Sequence, residues 1–152
     1  MGSILRHELV GTWQMVSWTQ RRGLEEILPM GEAPVGSIIY TEDGFISVNI
    51  MRRQRAQMLS GDFVTASEQE KAVAFGDYLG YAGTFELDGE DVVHHINCAS
   101  FPNWVGQRQT RRPRLEGGIL TLDAAARIVS GVSVTATLVW RRVNANRQSQ
   151  KH

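Results

Sequence analysis

Two adjacent histidines, His94 and His95, are the residues of this 152-residue chain with the clearest potential for chemistry. They lie in an alternating run, VVHHINCA, and neighbouring residues on a strand point to opposite faces of a sheet. The pair therefore cannot chelate one metal ion together, and one imidazole is expected to face inward. Because Asn97 shares a face with His95, these two would supply convergent hydrogen-bonding groups to a pocket if that face lines the interior. Periodicity alone leaves open which face does so.

Three tyrosines, one tryptophan and one arginine are further candidates for contacting a ligand. In the basic run QRQTRRPRLE, Arg111 lies on one face and Arg108, Arg112 and Arg114 lie on the other, and whichever arginine turns inward would bind a carboxylate, enolate or carbonyl. Tyr40, Tyr78 and Tyr81 can each pack and also donate a hydrogen bond. Trp104 lies in a turn, FPNWVG, from which it would cover the rim or the interior of a pocket.

Composition and motifs exclude several classes of function. The chain has 16 basic and 16 acidic residues, so no overall charge favours binding to nucleic acid or to an anionic membrane. The sequence contains no GxSxG, GK[ST], HExxH or CxxC motif. We therefore expect no metal and no cofactor, and the partner that remains is a small molecule.

The expected location is the cytoplasm. The N-terminal segment, MGSILRHELVGTW, lacks the apolar run of a signal peptide, and no stretch of apolar residues is long enough for a transmembrane helix. The single cysteine, Cys98, cannot form a disulfide within the chain.

The elements that must position these side chains are mostly strands. Alternating β-rich runs are separated by turn sequences such as EDG, DG and GG, which predicts eight to ten short strands joined by hairpins. Such a meander closes into an antiparallel up-and-down β-barrel. One α-helix is expected to be inserted at Ser67–Tyr81, as a lid or plug. The prediction is one domain over residues 1–143 and a disordered polar tail over 144–152, with a homodimer possible through exposed strand edges or the helix.

Several motifs, in order, resemble the lipocalin-like domain family of bacteria and fungi. They are LVGTW, PVGSIIYTEDGFISVNIMR, YLGYAGTFELDGEDVVHHI, SFPNWVGQRQTRR and LVWRR, and together they span roughly Leu9 to Val143. The resemblance implies a calyx-shaped barrel and leaves the activity open. The residues that match the family are Gly11, Trp13, Tyr40, Gly44, Tyr81, Ala82, Gly83, His95, Pro102, Asn103, Trp104, Gly106 and Arg111.

Two functions are predicted for such a barrel. In the first, the interior binds a small, largely apolar molecule connected with specialised metabolism. In the second, the barrel is a cofactor-independent cyclase or isomerase of a polyketide-type substrate. A third alternative is a purely structural barrel, since an interior filled with side chains would exclude both functions. The predicted catalytic residues are His95 and Tyr81, and the predicted ligand-binding residues are Tyr40, Asn49, Tyr78, Asn97, Trp104 and Arg111.

Overall fold

The computed structural model describes residues 3–144, which form nine strands and two α-helices. The predicted tail, apart from Asn144, lies outside the described residues. The helices are α1 (Arg6–Leu9) and α2 (Glu68–Gly76). The strands are β1 (Gly11–Arg22), β2 (Glu25–Ile27), β3 (Val35–Tyr40), β4 (Phe45–Met51), β5 (Tyr78–Asp88), β6 (Asp91–Ala99), β7 (Arg108–Glu116), β8 (Ile119–Val129) and β9 (Val132–Arg142).

Eight of these strands form a closed antiparallel barrel. From β3 to β9 each strand pairs with the next, and β1 pairs with β3 along one edge and with β9 along the other. Among the described strands, the short β2 pairs only with the end of β1, where Gln20 lies opposite Ile27. The predicted up-and-down barrel with an inserted helix is thus confirmed.

Alternation along the strands separates the interior of the barrel from its surface. On β4, Ile46, Val48 and Ile50 are buried, while the residues between them are partly or fully exposed. The preceding hairpin turns at Gly44, whose φ of +94° lies in the left-handed region that favours glycine. This turn sets the register in which Tyr40 pairs with Ile46, and it thereby directs the Tyr40 side chain inward.

One end of the barrel is closed by α1 and the start of β1, and we call it the closed end. Leu9 and Trp13 are fully buried there, and the indole Nε1 of Trp13 donates to the carbonyl of Leu9 at 2.9 Å. The guanidinium of Arg142 lies 4.0 Å from the centre of the Trp13 ring and also donates to the carbonyl of Val10. The opposite end, where β8 turns into β9, is the open end.

Helix α2 is shorter than predicted, because it ends at Gly76 and the residues from Tyr78 onward belong to β5. Its start matches the prediction: Ser67 caps the helix and Glu70 completes a reciprocal capping box. The residues from Tyr78 to Gly83 form a strand instead of continuing the helix, because they pair along β4 and their backbone groups are hydrogen-bonded there. None of the α2 side chains is buried, and the helix lies outside the barrel instead of plugging it.

Candidate functional site

The barrel interior has a packed half and an open half. Toward the closed end, large buried side chains such as Trp13, Trp140 and Leu120 fill it. Toward the open end a cavity of about 300 Å³ remains, which we call the interior cavity. A cavity of about 150 Å³ is enough to hold benzene, so this one has room for a substituted ring. Its apolar wall includes Trp18, Leu79, Trp104, Ala124, Ala136 and Leu138, and its polar groups come from Gln20, Gln109, Arg111 and Arg127.

A hydrogen-bonded chain of three buried side chains lies in the interior next to this cavity. The hydroxyl of Tyr40 is 2.8 Å from Nε2 of His94, and the hydroxyl of Tyr81 is 2.9 Å from Nδ1 of the same ring. They come from β3, β6 and β5, and we call them the Tyr–His–Tyr network. A neutral imidazole has one donor and one acceptor nitrogen, so it satisfies one hydroxyl as a donor and the other as an acceptor.

Burial keeps all three members of the network uncharged. It lowers the pKa of His94 to about 3, with the nearby charges of Arg111 and His95 acting in the same direction. Burial also raises the pKa of Tyr81 to about 12, against the opposing effect of Arg111, and raises the pKa of Tyr40 well above its ordinary value. At neutral pH the network therefore offers hydrogen bonds without charge.

Arg111 supplies a cation to the interior cavity. Its Nη2 donates to Oε1 of Gln109 at 3.1 Å, and its Nη1 donates to the carbonyl of Thr110 at 2.9 Å. Burial lowers the pKa of Arg111; Tyr81 opposes this effect, while the charge of Arg127 adds to it. Gln109 lies opposite His94 in the pairing of β7 with β6, so Arg111 and the network meet along these two strands.

Two tryptophans contribute flat apolar surface to the cavity. Trp104 stands edge-on to the ring of Tyr81, with 5.7 Å between ring centres and 83° between ring planes. Trp18 comes from β1, and its buried Nε1 has no hydrogen-bond acceptor among residues 3–144. Because a buried donor normally has a partner, Trp18 is a further candidate to donate to a bound molecule.

The structure brings four of the eight predicted site residues to the interior. These are Tyr40, Tyr81, Trp104 and Arg111. The other four lie on the outer surface of the barrel, and they are His95, Asn97, Asn49 and Tyr78.

The inward histidine is His94, and the predicted pair of His95 and Asn97 lies on the outer face. The Nε2 of His95 is 3.0 Å from a carboxylate oxygen of Glu86, and its side chain is 38% exposed. The reason is the pairing of β6 with β5, which turns Val92, His94 and Ile96 inward. The position predicted for His95 inside the pocket is therefore corrected to His94.

Asn49 and Tyr78 face away from the interior cavity and bond to each other. The Tyr78 hydroxyl donates to the side-chain oxygen of Asn49, and the guanidinium of Arg55 lies 5.5 Å from the centre of the Tyr78 ring. Tyr78 borders a groove of about 470 Å³ beside α2, and a second groove of about 510 Å³ lies along the same helix. Both are open surface features without a buried polar group, so the smaller interior cavity is the better candidate site.

Sequence reasoning left open which histidine faces the interior and named His95 as the catalytic candidate, although a signal for His94 was present. Val92 and Ile96, two positions before and after His94, are apolar and β-branched, which marks their face as the buried one. A histidine between two such residues must find hydrogen-bond partners inside the barrel. Tyr40 and Tyr81 come from distant strands, so the partners could not be identified from local sequence.

We expect acid to destabilise the protein through His94. Its pKa is about 3 in the folded state, against an ordinary value of 6.5, so between these values the unfolded chain binds a proton that the folded chain does not. The free energy of unfolding should therefore fall as the pH is lowered from 6.5 towards 3, by up to about 1.4 kcal/mol per pH unit. Urea unfolding at several pH values measures this slope. In His94→Gln the slope of the free energy of unfolding against pH should be shallower than in the wild type, and equal slopes for the two proteins would contradict the assignment.

No cluster of three or more His, Cys, Asp or Glu side chains along residues 3–144 is placed to hold a metal ion. The described helices are also too short or too polar for any of them to cross a membrane.

Comparison with known proteins agrees with this geometry. Residues 10–143 match the family described as the lipocalin-like domain. The 4'-hydroxy-3'-methoxypropiophenone carrier protein ppsC of Aspergillus oryzae is 31% identical over 107 residues, which are 64% of this chain and 96% of the relative. No solved structure matches the chain significantly. The family match spans every strand of the barrel.

Proposed function

Because this chain belongs to the lipocalin-like domain family, we propose that it is a carrier that holds one small, largely apolar molecule in its interior cavity. The observation that carries the proposal is the cavity itself, about 300 Å³ of space in a barrel whose other half is tightly packed. Its lining combines a mostly apolar wall with a few polar groups, which is typical of sites that bind and orient a small molecule.

The ligand that we propose is a substituted aromatic ring with polar oxygens at its edge. Trp18 and Trp104 offer apolar surface to the ring, while Gln109 and Arg111 can bind an oxygen. The related protein of Aspergillus oryzae is named as the carrier of a hydroxy- and methoxy-substituted phenyl ketone, a molecule of this shape. A carried molecule of this kind would fit the predicted connection with specialised metabolism, and we also propose that the carrier acts in the cytoplasm.

A cyclase or isomerase is the second candidate, and the Tyr–His–Tyr network is the observation that favours it. Tyr81 could donate a hydrogen bond to a substrate carbonyl. A catalyst that exchanges protons works best when its pKa is near the working pH, yet the pKa of His94 is about 3 and that of Tyr81 about 12. Binding without proton exchange suits these groups better, which supports the carrier over the enzyme.

Filling the cavity should abolish binding. Ala136 on β9 lines the cavity, and Ala136→Phe would place a ring in the space that the ligand needs. We expect the affinity for a hydroxy- and methoxy-substituted phenyl ketone to fall by about a hundredfold or more, because the loss of the cavity removes the whole apolar contact area of the ligand. Isothermal titration calorimetry with the purified protein measures the change.

The matched control is Ala72→Phe, which adds the same ring on the exposed surface of α2. This variant should bind as the wild type does. Equal affinity in Ala136→Phe and the wild type, with both folded by circular dichroism, would show that the ligand binds elsewhere. Turnover of a candidate substrate that is lost in Tyr81→Phe would instead favour the enzyme.

A further inference from the structure

The interior cavity holds a positive charge that no negative charge balances. Within residues 3–144, the hydrogen bonds of Arg111 go to a side-chain amide and a backbone carbonyl, and no salt bridge joins it to a carboxylate. The Arg111 side chain is partly buried, and a guanidinium that loses part of its hydration is ordinarily paired with an anion, because that loss is costly. Two of its five N–H groups are used in these bonds, which leaves others free for a ligand.

The groups around Arg111 increase the excess of positive charge in the interior cavity. A second cation, Arg127, lines the same cavity, and the lining contains no aspartate or glutamate among the described residues. Asp123, on the strand next to β7, is engaged elsewhere: it accepts from Arg114 at 3.0 Å and from Thr137 at 2.8 Å. The titratable groups that face Arg111 from the other strands are Tyr40, Tyr81 and His94, and burial keeps all of them uncharged at neutral pH.

We propose that the molecule carried in the interior cavity is bound as an oxyanion, a phenolate, enolate or carboxylate on a flat apolar body, and that Arg111 binds this oxygen. The inference rests on the proposed carrier function and specifies its ligand class. A planar guanidinium recognises such an oxygen through directed N–H bonds. Arg127 adds to the positive potential, and the apolar wall contacts the rest of the ligand.

Two probe molecules of nearly the same shape, of which only one can ionise, distinguish recognition of the charge from recognition of the shape. The first is 4-nitrophenol, which ionises near neutral pH and whose phenolate absorbs at longer wavelength than the phenol. The second is 4-nitroanisole, its methyl ether, which has nearly the same shape and cannot ionise. A spectrophotometric pH titration of bound 4-nitrophenol should show its pKa lowered by about one unit relative to the free probe, which is about a tenfold preference for the phenolate. The wild type should also bind the phenolate at least about tenfold more tightly than the ether.

Variants assign the preference to Arg111. Arg111→Met should weaken binding of 4-nitrophenolate by about tenfold or more and change binding of 4-nitroanisole by less than about threefold. Arg111→Lys, which keeps the charge but loses the planar fork, should retain part of the preference. Arg108→Met removes an exposed arginine from the same strand and should change neither affinity.

Each outcome has a distinct meaning. If the wild type binds both probes equally, or if bound 4-nitrophenol keeps the pKa of the free probe, the oxyanion inference is overturned and the carrier proposal stands. If neither probe binds, the carrier proposal fails and this inference fails with it. If Arg111→Met does not fold, the comparison of the two probes on the wild type and on Arg111→Lys still decides the question.

Discussion

Replacing His94 with alanine is expected to lower the free energy of unfolding by about 4 kcal/mol, one of the two largest effects that we anticipate. Two contributions add up. The hydroxyls of Tyr40 and Tyr81 both lose their buried partner, and each unsatisfied hydroxyl costs about 1–3 kcal/mol. The missing ring also leaves a void among closely packed side chains, which costs more as the void grows. Guanidinium unfolding followed by tryptophan fluorescence measures the difference.

Two comparisons test the origin of this effect. His95→Ala removes the neighbouring ring, which is partly exposed and pairs with Glu86 on the surface, and should cost no more than about 1 kcal/mol. The triple variant His94→Leu, Tyr40→Phe, Tyr81→Phe replaces all three polar groups with apolar ones and should recover most of the stability. Equal losses in the free energy of unfolding for His94→Ala and His95→Ala would contradict the role of the network in stability. A larger loss for the triple variant than for His94→Ala would contradict it as well.

Gly83→Ala should cause a loss of stability of similar size, because β5 and β6 approach each other too closely there for a side chain. A Cβ at position 83 would overlap the backbone carbonyl oxygen of His95 and lie 2.9 Å from its carbonyl carbon. Backbone atoms cannot rotate away, so the two strands would have to separate beside His94. We expect a loss of about 3 kcal/mol or more, a large part of the stability of a small domain. The melting temperature and the yield of soluble protein report the loss.

The control is Gly76→Ala, at the last residue of α2. Nothing lies within 4 Å of a Cβ built there, and alanine has the higher helix propensity. This variant should melt at the wild-type temperature or slightly above it. If Gly76→Ala lowered the melting temperature as much as Gly83→Ala does, the close approach of β5 and β6 would not explain the effect at Gly83.

The barrel could be predicted from the sequence because its strands and hairpins are specified by residues close together in the chain. Alternation in runs such as FISVNIM and turn sequences such as EDG specify strands and hairpins within a few residues. Consecutive hairpins then leave little choice of topology. Helix α2 was placed correctly at its start, where Ser67 and Glu70 form a local cap, and wrongly at its end, which is decided by pairing with the distant Met51.

The candidate site was predicted only in part, because its geometry is not local. Arg111, Trp104 and Tyr81 were identified from residue type and motif, and they do lie in the interior. The choice between His94 and His95 depends on the inward direction of β6, which the pairing of strands settles. The size of the cavity was also beyond sequence reasoning, since it depends on small residues such as Ala124 and Ala136 meeting across two strands.

The closure of the barrel by β1 and β9 bears on how the protein folds. Trp13 pairs with Arg142, near the other end of the described chain, and the contact continues to Arg22 and Val134. Pairings between such distant residues make folding slow, because a long loop must close before they stabilise it. During synthesis β1 can pair with β3, but its other edge stays unpaired until β9 has left the ribosome. The interior cavity, which needs residues from both strands, therefore forms late, and a ligand can stabilise the barrel only after closure.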